Sequence, residues 1–173
     1  LRSPRMRYLA VDLGQRRTGL AVGDVQTQIV TPLEVLQVPM SDLSGLVNAI
    51  HASCVQHLGP KDQIVIGLPV NMDGSEGSAA KAVRDFGRKI AERTGRAVHF
   101  MDERLTSVQA DWEMARTGMT RGEKKQRRDA LAAAAILRDF LSGLEQDRRE
   151  AEQSPMPDNQ GGSSAESEQE SDR

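Results

Sequence analysis

Short apolar runs and a tight turn open the chain. Residues 8–11 form a continuous apolar run typical of a buried strand, and residues 18–22 follow the turn at 13–17 as its hairpin partner. A third strand is predicted within residues 29–36, where Pro32 favours an irregular or edge position. The pattern therefore predicts that a sheet begins as a three-stranded antiparallel meander.

The middle of the chain alternates helically spaced and continuous apolar segments. A first helix is predicted to be capped by Ser41 and stopped by Gly59-Pro60, and a second to span residues 78–93 before Gly95. Residues 64–69 are a continuous apolar run, typical of a central parallel strand, and residues 98–101 form the next strand. The apolar positions of the first helix are Leu43, Leu46, Val47, Ile50, Cys54 and Leu58.

Two more helices are predicted after the last strand. One is capped by Thr106 or Ser107 and ended by Gly118, and the other is alanine-rich and runs from about residue 127 to residue 141. A meander followed by two strands that alternate with helices indicates an α/β fold. We expect a mixed five-stranded sheet, antiparallel first and parallel afterwards, flanked by helices.

Charge divides the chain into two parts. Residues 146–173 contain eight acidic and three basic residues, a formal charge of −5, whereas residues 1–145 contain 17 acidic and 20 basic residues, or +3. The acidic part has few apolar residues, so it cannot bury enough surface to offset the entropy of ordering. We therefore predict one domain over residues 1–145 and an acidic disordered tail over residues 146–173.

Several classes of function are disfavoured by composition. The single cysteine, Cys54, excludes an internal disulfide and a cysteine-based zinc site. No run of 18 apolar residues exists and the N-terminus lacks a signal-peptide core, so we expect a cytoplasmic protein without a membrane partner. No glycine-rich nucleotide loop is present, and 3% aromatic residues argue against base stacking. Nucleic acid would be contacted through its phosphates and its shape.

Three acidic residues stand where core elements begin or end. Asp12 follows the first strand run, Glu103 follows the last strand, and Asp129 opens the alanine-rich helix. Ligand crevices of such sheets lie beyond strand ends. Carboxylates brought together repel one another and are costly to desolvate, so a fold that collects them usually does so around a cation. These residues are candidates for binding Mg²⁺ or Mn²⁺ and for catalysis.

Each acid also has a purely structural interpretation. Asp12 can stabilise its own turn before Gly14, and Glu103 can favour a helix N-terminus. The basic run before Asp129 can be a solvated surface. Basic residues beside the three acids are also candidate phosphate contacts. These are Arg16, Arg17, Arg104, Lys124, Lys125, Arg127 and Arg128.

Five stretches carry a resemblance to a known family. They are Val-Asp-Leu-Gly at 11–14, Thr-Gly-Leu-Ala-Val-Gly at 18–23, Ile-Gly-Leu-Pro-Val-Asn-Met-Asp-Gly at 66–74, Asp-Glu-Arg-Leu-Thr-Ser at 102–107, and the alanine-rich segment 129–137. In this order they resemble the YqgF/RuvX family, whose members adopt the ribonuclease H-like fold. The family's acidic triad falls on Asp12, Glu103 and Asp129.

The resemblance implies a nuclease with two described roles, maturation of the 5′ end of pre-16S ribosomal RNA and resolution of four-way (Holliday) DNA junctions. We therefore expect a metal-dependent endonuclease that uses one or two Mg²⁺ or Mn²⁺ ions on structured RNA or branched DNA. A homodimer would suit the two-fold symmetry of a junction. Two alternatives stay open: a non-catalytic RNA- or DNA-binding module for ribosome assembly, and, less favoured, a fragment of an actin-like ATPase.

Overall fold

The computed structural model describes residues 5–105 and 120–153. Its sheet has the strand order β3-β2-β1-β4-β5, antiparallel from β3 to β1 and parallel from β1 to β5. This confirms the predicted mixed sheet of a ribonuclease H-like fold. The strands are β1 (Arg7–Leu13), β2 (Thr18–Asp24), β3 (Val30–Leu36), β4 (Gln63–Leu68) and β5 (Val98–Asp102). The helices are α1 (Leu43–His57), α2 (Ser78–Thr94), a 3-10 turn (Glu103–Leu105) and α3 (Arg121–Gln153).

The two faces of the sheet are buried by different helices. On β1, Leu9 and Val11 join the core beneath α1 and α2, whereas Tyr8 and Ala10 join the core beneath α3. Successive side chains of a strand point to opposite faces. Asp12, two residues beyond Ala10, therefore belongs to the face that α3 covers.

The last helix is longer than the sequence predicted, and the expected start near residue 127 is wrong. Thr120 and Glu123 form a capping box: Glu123 Oε2 accepts a hydrogen bond from the Thr120 amide at 3.0 Å, and Thr120 Oγ1 accepts one from the Glu123 amide at 3.4 Å. The helix therefore begins at Arg121, two turns ahead of Asp129. Asp129 does not open the helix but lies within it.

The expected end of this helix at residue 141 is also wrong, because α3 continues to Gln153. Arg148 pairs with Glu145 at 2.9 Å and with Glu152 at 3.0 Å, one turn away in each direction. Such pairs support a helix that has no apolar periodicity. The first eight residues of the expected tail, 146–153, are therefore helical, and residues 154–173 lie outside the described part of the chain.

Three smaller outcomes concern the other helices. Asp42, rather than the predicted Ser41, caps α1, since its Oδ1 accepts a hydrogen bond from the Gly45 amide at 3.0 Å. The helix predicted from Thr106 or Ser107 to Gly118 lies outside the described residues. Within residues 5–105 and 120–153, no helix is long and apolar enough to cross a membrane.

Helix α3 is pressed against β2 at glycines. A Cβ atom on Gly19 would lie 1.8 Å from the backbone oxygen of Asp129, and one on Gly23 would lie 2.9 Å from Leu137 Cδ2. No other residue type leaves room for so close a contact. The contact at Gly19 therefore sets the position of Asp129 above the sheet.

We expect Gly19→Ala to destabilise the protein by about 2–3 kcal/mol, because the added methyl group must push α3 away from β2. The measurement is thermal unfolding of the full chain. Gly143→Ala is the matched control: nothing lies within 4 Å of its new methyl group, and alanine is the better helix former by about 0.5–1 kcal/mol. Equal melting temperatures for the two variants would contradict the close contact.

Candidate active site

Asp12 lies near the C-terminal end of the central strand β1, where the β1–β2 hairpin fixes its position. It pairs with Gly19 in the antiparallel ladder, just before the turn that joins the two strands. The Gly14 amide donates a hydrogen bond to the Arg17 carbonyl at 3.0 Å, and a Cβ on Gly14 would lie 2.5 Å from that oxygen. A glycine is therefore needed for the turn to close, and the turn fixes the end of β1.

Glu103 reaches the same place from β5. It begins the 3-10 turn that directly follows the strand. A Cβ on Gly67 of β4 would lie 2.3 Å from Glu103 Oε1 and 2.7 Å from Ile136 Cδ1 of α3. Gly67 thus leaves the space in which the Glu103 carboxylate lies between the sheet and α3. A hydrogen bond joins the Glu103 and Asp12 side chains.

The contact between Asp12 and Glu103 changes how both groups titrate. The pKa of Asp12 is raised to about 7, chiefly by burial and also by the nearby charges of Glu103 and Asp129 and by the hydrogen bond to Glu103. Burial also raises the pKa of Glu103, while the hydrogen bond from Asp12 acts in the opposite direction. The two carboxyl groups therefore share a proton near neutral pH, with Asp12 as its donor.

Asp129, on α3, lies near the other two acids but faces an arginine. Its charge contributes to the raised pKa of Asp12, so it lies within electrostatic reach of that carboxyl group. Arg17 Nε lies 3.1 Å from Asp129 Oδ2. That oxygen is buried and accepts no hydrogen bond from the described part of the chain. The short distance and the missing hydrogen bond together indicate an ion pair whose N–H is not aimed at the oxygen.

The donor set suits a hard divalent cation. Carboxylate oxygens are the ligands that Mg²⁺ and Mn²⁺ prefer. A proton shared between two buried carboxyl groups and a buried oxygen without a hydrogen bond are both costly, and a cation would relieve both costs. Among residues 5–105 and 120–153, no three acidic, histidine or cysteine side chains already form a metal site. Asp12, Glu103 and Asp129 would hold the ion after Asp12 loses its proton and Asp129 separates from Arg17.

The predicted phosphate contacts lie in several places. A concavity of about 520 Å³ lies beside Asp129. Arg127 and Arg128 are exposed on α3, whereas the side chains of Lys124 and Lys125 lie outside the described residues. The concavity is lined by Gly14, Gln15, Arg16, Arg17, Gln37 and Asp129. Among the residues that the structure describes, Arg16 and Arg17 are therefore the arginines that line this concavity.

Arg104 has a structural role that the sequence did not indicate. Its Nη2 donates to Asp102 Oδ2 at 2.6 Å, and its Nη1 donates to the carbonyl oxygens of Asn71 and Met72 at 3.3 Å. These contacts tether the loop after β4 to the end of β5. The hydrogen bonds from Arg104 to Asp102 lower the pKa of that carboxyl group, which lies next to Glu103. A phosphate contact by Arg104 stays a prediction.

Sequence reasoning did not single out Gly67 or Gly19 as residues that build the site. Gly67 interrupts a run of β-branched residues, 64–66, and a glycine inside a strand often marks a close approach of another group. That signal was present. The partner at each glycine, Glu103 and Asp129, could be identified only from the folded chain.

The chain is similar to proteins that are named as nucleases. A protein from Anaeromyxobacter sp. (strain Fw109-5) named "Putative pre-16S rRNA nuclease" is 38% identical over 140 residues, covering 80% of this chain and 98% of the relative. A protein of the same name from Lactococcus lactis subsp. cremoris (strain MG1363) is 35% identical, covering 78% and 93%. Among solved structures, Thermus thermophilus RuvC in complex with a Holliday junction substrate is 18% identical with a TM-score of 0.48, covering 81% of this chain and 96% of that chain.

The family model described as "RuvX: Holliday junction resolvase" matches residues 6–143. These residues include all three acids, the glycines that accommodate them, and the five stretches on which the resemblance was based. The resemblance is therefore confirmed, and the chain belongs to the RuvX family.

Proposed function

We propose that this protein is a divalent-metal-dependent nuclease that hydrolyses phosphodiester bonds in the 5′-end maturation of pre-16S rRNA, in the resolution of Holliday junctions, or in both. Family membership supports nuclease activity in one of these two settings. The observation that carries the metal dependence is the meeting of Asp12 and Glu103 between the sheet and α3, where Gly67 leaves room for the Glu103 carboxylate and Asp129 lies within electrostatic reach of Asp12. Buried acids in contact with one another do not stabilise a fold unless a cation binds them.

The residues of the site have separable tasks in this proposal. Asp12 and Glu103 supply oxygen ligands from the sheet, and Asp129 supplies one from α3. A bound divalent cation would polarise the phosphate and lower the pKa of a water molecule. Arg16, together with Arg127 on α3, would hold the nucleic acid backbone, which carries little sequence information. RNA and DNA substrates therefore have to be compared directly.

A non-catalytic RNA- or DNA-binding module is the second candidate, because Asp129 is paired with Arg17 and not with the other two acids. Such a module would bind nucleic acid in a saturable way and give no metal-dependent products. No contact among the described residues supports the other alternative, a fragment of an actin-like ATPase. Cleavage by the purified protein distinguishes the two candidates.

We expect Asp12→Asn, Glu103→Gln and Asp129→Asn each to reduce cleavage by at least about 100-fold, because each removes a charged ligand of the cation. Cleavage is measured with Mn²⁺ or Mg²⁺ on a four-way DNA junction and on a pre-16S rRNA 5′ segment. In the presence of a chelator, Asp12→Asn and Glu103→Gln should bind either substrate about as tightly as the wild type does.

The matched control for these three variants is Asp85→Asn, an exposed acid on α2 that pairs with Arg88 on the opposite face of the sheet. It should cleave like the wild type. Undiminished cleavage by Asp12→Asn would exclude the proposed centre, and binding without cleavage by the wild type would favour the non-catalytic module.

Asp12→Asn should also stabilise the metal-free protein at pH 8, by ~1–3 kcal/mol. Folding raises the pKa of Asp12 from its ordinary value of 3.8 to about 7, so the folded protein binds more protons in this window and its stability falls as the pH rises through it. The gain should shrink at pH 5, where Asp12 is protonated in the folded protein.

The measurement is chemical denaturation in the presence of a chelator at both pH values, with Asp85→Asn as the control. If Asp12→Asn is less stable than the wild type at pH 8, burial of the ionised Asp12 carboxylate does not destabilise the folded protein, and this prediction is wrong.

Neutralising Arg127 should weaken nucleic acid binding and lower the slope of log affinity against log salt by roughly one unit, because one phosphate contact is lost. Arg88→Gln is the matched control, an exposed arginine on α2 and away from the three acids. Its slope should equal that of the wild type. An unchanged slope for Arg127→Gln would remove the start of α3 from the binding surface.

A further inference from the structure

The ion pair between Arg17 and Asp129 has a consequence for metal binding. Arg17 Nε lies 3.1 Å from Asp129 Oδ2, so the guanidinium already neutralises the third carboxylate. A cation that uses Asp129 as a ligand must compete with this charge. The described residues form no complete group of three metal-binding side chains, which agrees with Asp129 being held by Arg17.

The backbone at Arg17 is fixed, so only its side chain can move. The Arg17 carbonyl accepts a hydrogen bond from the Gly14 amide at 3.0 Å. The neighbouring Gln15 carbonyl accepts one from the Met40 amide at 2.9 Å. These bonds hold the turn on both sides of Arg16. Release of Asp129 therefore requires rotation of side-chain torsions and no change of fold, and such rotations are fast.

The Arg17 side of the ion pair is accessible to a competitor, although the Asp129 oxygen that it contacts is buried. The Arg17 side chain is 31% exposed and that of Asp129 is 23% exposed, and both line the concavity of about 520 Å³. Ion pairs with this much exposure are weak, and this one lacks an aligned hydrogen bond. A phosphate can instead accept two parallel hydrogen bonds from a guanidinium. Phosphate entering the concavity therefore competes well for Arg17.

We propose that Arg17 is a substrate-operated gate on the third carboxylate. In the free protein it neutralises Asp129. When a phosphate of the nucleic acid enters the concavity, the guanidinium turns to it and leaves Asp129 available to the cation. This inference rests on the proposed function, since it takes Asp129 as a ligand of the ion.

The gate makes metal and nucleic acid bind cooperatively. Nucleic acid should tighten metal binding, and metal should tighten nucleic acid binding by the same factor. The metal centre is then completed only where a phosphodiester is present. Arg17 is a positioning residue in this scheme, because it acts on the cation through Asp129.

The test is Mn²⁺ binding to the full chain by isothermal titration calorimetry, for the wild type, Arg17→Gln and Arg16→Gln. Each is titrated alone and with a saturating phosphorothioate form of the four-way junction and of the pre-16S rRNA 5′ segment. Arg16 is the matched control, since it lines the same concavity but its neighbour Arg17 makes the ion pair.

We expect Arg17→Gln to bind Mn²⁺ about tenfold more tightly than the wild type without nucleic acid. Nucleic acid should then tighten Mn²⁺ binding by a smaller factor in Arg17→Gln than in the wild type. Arg16→Gln also removes a positive charge from the concavity but leaves the Arg17–Asp129 pair in place, so it should tighten Mn²⁺ binding much less than Arg17→Gln when no nucleic acid is present. If Arg17 acted only as a nearby positive charge, nucleic acid would tighten Mn²⁺ binding by the same factor in Arg17→Gln and in the wild type.

The gate is overturned if Arg17→Gln binds Mn²⁺ like the wild type, or if nucleic acid tightens Mn²⁺ binding equally in both. If Arg17→Gln does not fold, Arg17→Lys replaces it: it keeps the charge but loses the planar fork, so the gate predicts an intermediate Mn²⁺ affinity. An unchanged affinity in Arg17→Lys then overturns the gate.

Cleavage by the wild type, measured alongside, separates this inference from the proposed function. Metal-dependent cleavage with no effect of Arg17 on Mn²⁺ affinity overturns the gate alone. Absence of cleavage on both substrates overturns the proposed function, while the Mn²⁺ affinities still decide whether Arg17 competes with the ion for Asp129.

Discussion

Two carboxyl groups, those of Asp12 and Glu103, share a proton beneath α3 in this protein, and a third, that of Asp129, lies close enough to disfavour the ionisation of Asp12. Burial is the largest cause of the raised pKa of Asp12, so the arrangement has a cost that the fold must bear. A buried acid pair of this kind stabilises nothing by itself. It becomes favourable when a cation replaces the proton, which links the fold to a metal-dependent function.

The geometry of this acid group depends on the absence of side chains at two positions. Gly67 leaves the space that the Glu103 carboxylate fills, and Gly19 lets α3 approach β2 at the backbone of Asp129. Both glycines lie on the sheet face that α3 covers. The tight contacts that give α3 its position therefore also bring the Asp129 carboxylate within electrostatic reach of Asp12.

Much of the sheet was predictable because apolar runs and tight turns are local signals. The three acids were named as candidates because strand ends are where α/β folds gather polar groups. The structure brings Asp12 and Glu103 into contact, and the catalytic role of the three acids stays a prediction. The bounds of α3 were not predicted. Its start depends on a capping box at Thr120 and Glu123, a pattern that was present in the sequence, and its end depends on charged pairs around Arg148 that have no apolar periodicity.

Partners across the fold were beyond the reach of the sequence. Arg17 and Arg104 were both expected to contact phosphate, and nothing local indicates that one pairs with Asp129 and the other with Asp102. These contacts join residues whose approach is set by the packing of α3 and by the loop after β4. Basic residues near an acidic site can therefore hold the site together as well as bind the substrate.

The most direct test of the cation site is the number of protons released when Mn²⁺ binds. Calorimetric titrations in two buffers of different ionisation enthalpy give this number for the wild type and for Asp12→Asn. If a cation replaces the shared proton, the wild type should release about one proton at pH 6.5 and much less at pH 8.5, and Asp12→Asn should release almost none. Binding without proton release at pH 6.5, or with the same release in Asp12→Asn, would contradict a site built on this acid pair.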